Sequence, residues 1–209
     1  HALASNTNGS GNTAVGILSL FSNTNGSDNC AIGSNSLRYN STGVQNTAMG
    51  SNSLYENTAG YYNTAMGNES LRSNTTGAGN TAMGSNSLYL NATGYSNTAT
   101  GYKSLNSNNT GNENSAFGDV SLYSNISGNE NSAFGNEALL TNTGSYNSAF
   151  GSKSLQSNST GEANTAFGIG SLLNNTSGSN NTAIGNIAGG GITTGSNNIA
   201  VGYDAQVPN

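Results

Sequence analysis

The chain has 209 residues, of which 6% are charged and 33% are hydrophobic, and its formal net charge is -5. An ordinary globular domain is about a quarter charged and nearly half apolar, so this composition excludes a conventional globular core. Four Lys and Arg residues are too few for a nucleic-acid-binding surface, and the chain has no run of about 18 apolar residues that could cross a membrane.

A repeat of Asn-Thr/Ser-Ala-apolar-Gly runs through the chain from residue 12 onward. Its first residue occurs at Asn12, Asn29, Asn46, Asn63, Asn80, Asn97, Asn114, Asn131, Asn147, Asn164, Asn181 and Asn198. The spacing in sequence number is 17 throughout, except for one step of 16, where a residue is missing between Asn142 and Gly144. Residues 1–11 match the second half of a coil, so we expect one repeat domain over 1–209 that begins inside a repeat of a longer chain.

The repeat predicts an all-β fold, a parallel β-solenoid of about twelve coils. Each coil reads Asn-Thr-Ala-apolar-Gly-x-x-Ser-Leu-x-x-Asn-x-Thr-Gly-x-x. We expect two short strands per coil, the first at Asn-Thr-Ala-x-Gly and the second centred on Ser-Leu, with Gly and Asn in the turns between them. Asn, Ser, Thr and Gly are poor helix formers, which argues against a helical solenoid.

Stacking places identical residues above one another at intervals of about 4.8 Å. The first Asn of each coil is therefore expected to form one ladder of side-chain amides along the axis. The second Asn, at Asn23, Asn40 and their successors, is expected to form another. Low charge agrees with this arrangement, because like charges at one position of adjacent coils would repel one another.

The alternation of side chains along a strand places Thr13 and Val15 on one face and Ala14 on the other. The simplest packing turns the Val/Ile/Met/Phe position toward the Leu position inside the coil. The Ala position would then form an outer stripe that contacts other chains. In the opposite arrangement, the small residues lie inside and Leu and Phe lie at a subunit interface. Both arrangements favour an oligomer, because a single coil of this length buries little apolar area.

The residues carry no recognisable catalytic or metal-binding constellation, so we expect neither enzymatic activity, nor a cofactor, nor a metal site. His1 lies at the end of the given sequence, and no other His is present to form a Ser-His-Asp arrangement. Cys30 occupies a Thr position and is expected to be a small packed thiol. Glu113 and Glu130 share a position in adjacent coils and could suggest a glycosidase pair, but solvated turn residues are the simpler interpretation. Pro208 suggests a linker to a further domain.

Tyrosines are the candidate ligand-binding residues, because exposed Tyr beside Asn and Ser can stack on sugars and hydrogen-bond to their hydroxyls. One group precedes the first strand and the other follows Leu; the two groups are Tyr61, Tyr62, Tyr95 and Tyr146, and Tyr55, Tyr89 and Tyr123. The alternative is that these rings cover the edge of a thin core.

The Asn-x-Ala-apolar-Gly array resembles the head repeats of YadA-like trimeric autotransporter adhesins. Asn198-Ile199-Ala200-Val201-Gly202 is the most similar coil, and the array is also similar to repeats of phage-like tail fibres. The resemblance implies a left-handed parallel β-roll that forms a side-by-side homotrimer. It also implies display outside the cell, on a cell or virion surface. The repeat of this chain is longer than that of the adhesin heads, which puts the loops and the trimer geometry in question.

We therefore expect a non-enzymatic fibre segment that acts as a rigid spacer and binds, or presents binding to, a cell-surface glycan or protein receptor. The alternative is a solenoid that organises ice or hydration water. A regular Thr position, occupied by Thr13, Thr47, Thr64, Thr81 and Thr98, could form a flat array for that purpose. Neither hypothesis includes contact with nucleic acid or insertion into a membrane.

Overall fold

The computed structural model describes residues 1–207, so the linker expected at Pro208 lies outside the described part. The fold over these residues is all-β, with one three-residue strand in each coil and no helix. The strands are β1 (Thr13–Val15), β2 (Cys30–Ile32), β3 (Thr47–Met49), β4 (Thr64–Met66), β5 (Thr81–Met83), β6 (Thr98–Thr100), β7 (Ser115–Phe117), β8 (Ser132–Phe134), β9 (Ser148–Phe150), β10 (Thr165–Phe167), β11 (Thr182–Ile184) and β12 (Ile199–Val201). Residues 1–207 accordingly contain no helix that is long and apolar enough to span a bilayer.

The twelve strands form one parallel sheet in chain order, so every strand pairs with the strands of the coils before and after it. The register is exact, because each Ala pairs with the next Ala, as Ala14 with Ala31 and Ala133 with Ala149. The latter pair spans the short coil, so the deletion does not shift the register. The prediction of a parallel β-solenoid is confirmed.

The expectation of a second strand at Ser-Leu is wrong, because this segment is a chain of turns. Leu has a left-handed backbone in ten coils, for example with φ of 50° at Leu37 and 49° at Leu54. Ser36 and Leu37 are both fully buried, whereas consecutive residues of a strand point to opposite faces. The left-handed Leu turns its side chain to the same side as Ser, and Leu37 N still donates to Ser53 O of the next coil at 3.0 Å.

The simplest packing expected from the sequence, with the Val/Ile/Met/Phe position facing Leu inside the coil, is also wrong. The Ala position is fully buried from Ala31 to Ala183, and Leu and Ser of the turn segment are buried opposite it. The Val/Ile/Met/Phe position points outward, with Met66 38% and Phe167 58% exposed. The alternative was right in placing small residues inside, and wrong in placing Leu at the surface. The coil is too narrow for two large side chains, so the turn supplies Leu and the strand supplies Ala.

The two predicted Asn ladders are confirmed and lie in the interior. Asn63 Nδ2 donates to Asn46 Oδ1 at 3.1 Å and to Gly77 O at 2.8 Å, and the second-ladder Asn74 donates to the same Gly77 O at 3.0 Å. Asn63 Oδ1 in turn accepts from the backbone N of Asn80 at 3.0 Å. The ladders therefore satisfy buried backbone groups as well as each other, which such groups require.

The second ladder is interrupted at two places, and each interruption leaves one Asn side-chain oxygen without a hydrogen-bond partner. In the short coil, Asn142 Nδ2 donates to Gly144 O, two residues away, and does not donate to Asn125. Near the C-terminal end, Ile192 stands where the next ladder Asn is expected, so Asn175 has no amide above it. Asn125 Oδ1 and Asn175 Oδ1 are consequently buried without a hydrogen-bond partner.

Candidate functional site

The structure separates the seven candidate tyrosines into two surfaces. Tyr61, Tyr62, Tyr95 and Tyr146 precede the strands and are 46%, 59%, 48% and 56% exposed. Those that follow the buried Leu are half-buried: Tyr55, Tyr89 and Tyr123. The two groups occupy different positions of the coil, so they belong to separate candidate sites.

Tyr95 and Tyr146 lie at the two ends of a shallow cavity of about 210 Å³. The remaining lining residues are Asn112, Glu113, Asn129 and Glu130. We call these six residues the Tyr–Glu groove. It crosses four consecutive coils, so at about 4.8 Å per coil its ends are about 14 Å apart along the axis.

Backbone hydrogen bonds between coils hold the groove in shape. Glu113 N donates to Tyr95 O at 3.1 Å, and Glu130 N donates to Asn112 O at 3.0 Å. The side-chain amides add bonds to the preceding coil: Asn112 Oδ1 accepts from Tyr95 N, and Asn129 Oδ1 accepts from Asn112 N, each at 2.9 Å. Each lining residue is therefore fixed by the adjacent coil and is not carried on a long loop.

Glu113 and Glu130 form an unusual pair in this chain. They are the one case in which like charges occupy the same position of adjacent coils. Within residues 1–207 the ion pairs are Arg72–Glu56 and Lys153–Glu137, so neither groove carboxylate is neutralised by a cation. Like charges in direct register are destabilising by up to about 1 kcal/mol. Their left-handed backbones, with φ of 58° and 55°, are common to this position in the other coils, as at Gln45 with φ of 55°.

The second surface is a stack of alternating Arg and Tyr that we call the Arg–Tyr stack. The Arg72 guanidinium lies 5.1 Å from the ring centre of Tyr55 and 5.7 Å from that of Tyr89, and Arg38 lies 5.8 Å from Tyr55. Tyr55 thus separates two arginines that share a position, which keeps their charges from direct register. A hydrogen bond with Tyr55 raises the pKa of Tyr39, and the charge of Arg38 opposes this rise.

A third surface, which we call the strand face, is formed by the outward side chains of the sheet. The rings of Phe117, Phe134 and Phe150 stack in parallel, with centres 4.7 and 4.8 Å apart, and Phe167 continues the stack at 5.6 Å. Ile32 and three Met residues extend this apolar stripe toward the N-terminal end. The Thr/Ser position runs beside it and is half-buried in most coils, and Cys30 belongs to that row.

The sequence pattern missed three features of these surfaces. Asn112 and Asn129 were overlooked because they are two of many Asn residues, although they stand at a position that otherwise holds Ser in five coils. Arg38 and Arg72 were missed because Arg occupies the Tyr55 position in only two coils. Met and Phe were assigned to the core because they are large and apolar. Residues 1–207 contain no group of three or more His, Cys, Asp or Glu that could hold a metal ion.

Comparison of the chain with protein-family models, with curated protein sequences and with solved structures finds no match. The resemblance to adhesin heads and tail fibres therefore remains a prediction from the repeat itself.

Proposed function

We propose that the chain is a non-enzymatic segment of an extracellular fibre on a cell or virion surface. It serves as a rigid spacer and binds a cell-surface receptor through its exposed tyrosines. The observation that carries the proposal is the strand face together with the ladders. Twelve strands in exact register form one continuous sheet, and one outward row of it is apolar in every coil except that of Thr100, which is typical of a surface that another protein covers.

The partner on the strand face is further copies of the same chain, in a side-by-side homotrimer as the resemblance implies. The stripe is too long for a small ligand, since twelve coils at about 4.8 Å extend roughly 58 Å. It lies parallel to the rod axis, so identical rods can associate along it without interrupting the fibre. This proposal replaces the expectation that the Ala stripe forms the interface, because Ala is buried inside the coils from Ala31 onward.

Substitution of Phe134 and Phe150 by Thr tests the strand face. The fold accepts Thr at this position, as Thr100 shows, so the double variant is expected to keep its β-sheet circular dichroism. Because truncation of buried interface anchors costs more than about 1 kcal/mol each, the dissociation constant of the oligomer should rise at least about tenfold in sedimentation velocity. An unchanged constant would place the interface elsewhere.

The receptor is proposed to be a glycan, because exposed Tyr rings beside Asn and Glu provide both stacking and hydrogen-bonding groups. A glycan array and a whole-cell binding assay with the intact chain test this part of the proposal. Binding is expected to fall when the exposed candidate tyrosines are replaced by Ala, namely Tyr61, Tyr62, Tyr95 and Tyr146. The absence of binding to any glycan or cell surface would leave a spacer role alone.

A hydration-organising surface is the second candidate function. It is favoured by one observation: the Thr row of β3 to β6 faces outward in register, beside Met rather than inside the coil. The two functions compete for the same face, since water can be organised only where other chains do not cover it. Thermal hysteresis in dilute solution, combined with a monomeric mass, would support this function over the fibre.

A further inference from the structure

We propose that the Tyr–Glu groove is a specific saccharide-binding site that accepts uncharged or amino sugars and rejects sialylated or sulfated ones. This inference rests on the proposed glycan-binding function and specifies its site and ligand class.

The groove departs from the arrangement of charges in the rest of the chain. Elsewhere, adjacent coils separate like charges or pair opposite ones, as Tyr55 separates Arg38 from Arg72 and as Lys153 follows Glu137. Only Glu113 and Glu130 place like charges in direct register, and neither carboxylate pairs with a cation. An unfavourable charge arrangement of this kind is expected at a functional site, where a ligand offsets it.

The chemistry of the lining residues defines the class of ligand. Two ionised carboxylates offer only acceptors, so the ligand must supply donors, which hydroxyl or ammonium groups provide. Hydrogen bonds to carboxylates are about twice as strong as those between neutral groups. Tyr95 and Tyr146 add an aromatic ring at each end, suited to stacking on the apolar face of a sugar ring. Uncompensated negative charge repels carboxylate and sulfate groups of a ligand.

A divalent cation fits the groove less well. Ca²⁺ requires six to eight oxygen ligands, and the side-chain oxygens of Asn112 and Asn129 already accept hydrogen bonds from backbone N–H groups at 2.9 Å. That engagement directs both amides toward the adjacent coil. The two carboxylates are then the remaining charged ligands of the groove, which favours a ligand that brings hydrogen-bond donors of its own.

The test compares variants that the repeat itself shows to be compatible with the fold. Gln45 occupies the position of Glu113 and Glu130 in another coil, Ala78 that of Tyr95, and Ala163 that of Tyr146. The variants are therefore Glu113→Gln/Glu130→Gln and Tyr95→Ala/Tyr146→Ala in the intact chain. Glu162→Gln and Tyr203→Ala are matched controls outside the groove. All five proteins are measured on one array of neutral, amino, sialylated and sulfated glycans, with and without EDTA.

The wild-type chain is expected to bind neutral or amino glycans in EDTA, and the Tyr variant to lose binding by at least about tenfold. The Gln variant should bind these glycans about tenfold more weakly and lose its discrimination against acidic ones. Its thermal midpoint should not fall, because the repulsion between the carboxylates is removed; a purely structural role of the glutamates would lower it. The two controls are expected to match the wild type.

Several results would overturn the inference. Array binding that persists unchanged in both groove variants, a preference for acidic glycans, or loss of binding in EDTA would reject the groove while leaving the proposed function intact. Turnover of a glycan that disappears in the Gln variant would replace binding by catalysis. Failure of the wild type to bind any glycan or cell would reject the proposed receptor function together with this site.

Discussion

At the scale of single residues, the fold depends on backbone conformations that ordinary side chains avoid. Leu adopts a left-handed backbone in ten coils, which costs of the order of 1–3 kcal/mol at each position. Full burial of each Leu side chain returns about 1.5–3 kcal/mol, and the conformation also admits the adjacent Ser to the interior. The repeat therefore accepts local strain in exchange for a core that two short segments can fill.

Substitution of Asn63 by Ala tests the inner ladder. It removes the acceptor of the buried Asn80 N–H and both donations of the amide, so we expect a loss of about 2–3 kcal/mol in the free energy of unfolding. Urea denaturation followed by circular dichroism measures the change. The exposed Asn68, whose amide makes one weak contact with Ser51 O at 3.4 Å, is the matched control, and its Ala variant should differ from wild type by less than about 0.5 kcal/mol. Equal effects would contradict a structural role for the ladder.

Two glycines with positive φ distinguish a requirement for close packing between coils from a requirement for a left-handed backbone alone. A Cβ on Gly84 would lie 2.5 Å from Gly101 O of the next coil, at a φ of 134°. Gly79, at a φ of 65°, has its nearest neighbouring atom at 3.7 Å, and Ala163 shows that the same position accepts Ala. We expect Gly84→Ala to lower the thermal midpoint sharply and Gly79→Ala to cost about 1 kcal/mol or less. Calorimetry distinguishes the two, and similar midpoints would show that the coils can separate to admit a methyl group.

At the scale of the coil, the repeat predicted the strand, the register and the ladders because each of these depends on one position that recurs once in every coil. It did not predict the turn segment, because Ser-Leu reads equally well as part of a strand. The informative feature is that the Ser36 position holds only Ser or Ala and the Leu37 position holds Leu in ten coils. This restriction of side-chain size indicates that both positions face the interior. The orientation of Met66 also follows from strand alternation once Ala65 is known to be buried.

The short coil offers a test at this scale. Insertion of one Ser between Thr143 and Gly144 restores the length of the other coils and should let Asn142 donate to the orphaned Asn125 Oδ1. Satisfaction of that buried oxygen is expected to raise the free energy of unfolding by about 1 kcal/mol in urea denaturation.

The matched control inserts one Ser between Thr76 and Gly77, in a coil of normal length. There the insertion separates Asn74 from Gly77 O, to which it donates at 3.0 Å, and stability should fall. A stabilising effect at the second site, or a loss at the first, would contradict this account of the ladder.

At the scale of the whole molecule, three surfaces run along one rod: the apolar strand face, the Arg–Tyr stack and the Tyr–Glu groove. The Tyr columns and their two positions in the coil were predicted from the sequence, but the neighbours of each Tyr depend on which coils carry Glu and which carry Arg. The repeat pattern alone does not indicate which of these variable residues lie together in a binding site. The site could be located only when residues from four coils, from Tyr95 to Tyr146, were seen to line one cavity.

The association of the chains is the central claim, and the mass of the intact chain in solution tests it most directly. Size-exclusion chromatography with multi-angle light scattering is predicted to give three times the mass of one chain, which is 21.0 kDa. The mass should remain constant over a tenfold dilution in the micromolar range. A stable monomeric species, with the strand face open to water, would contradict the proposed trimeric fibre.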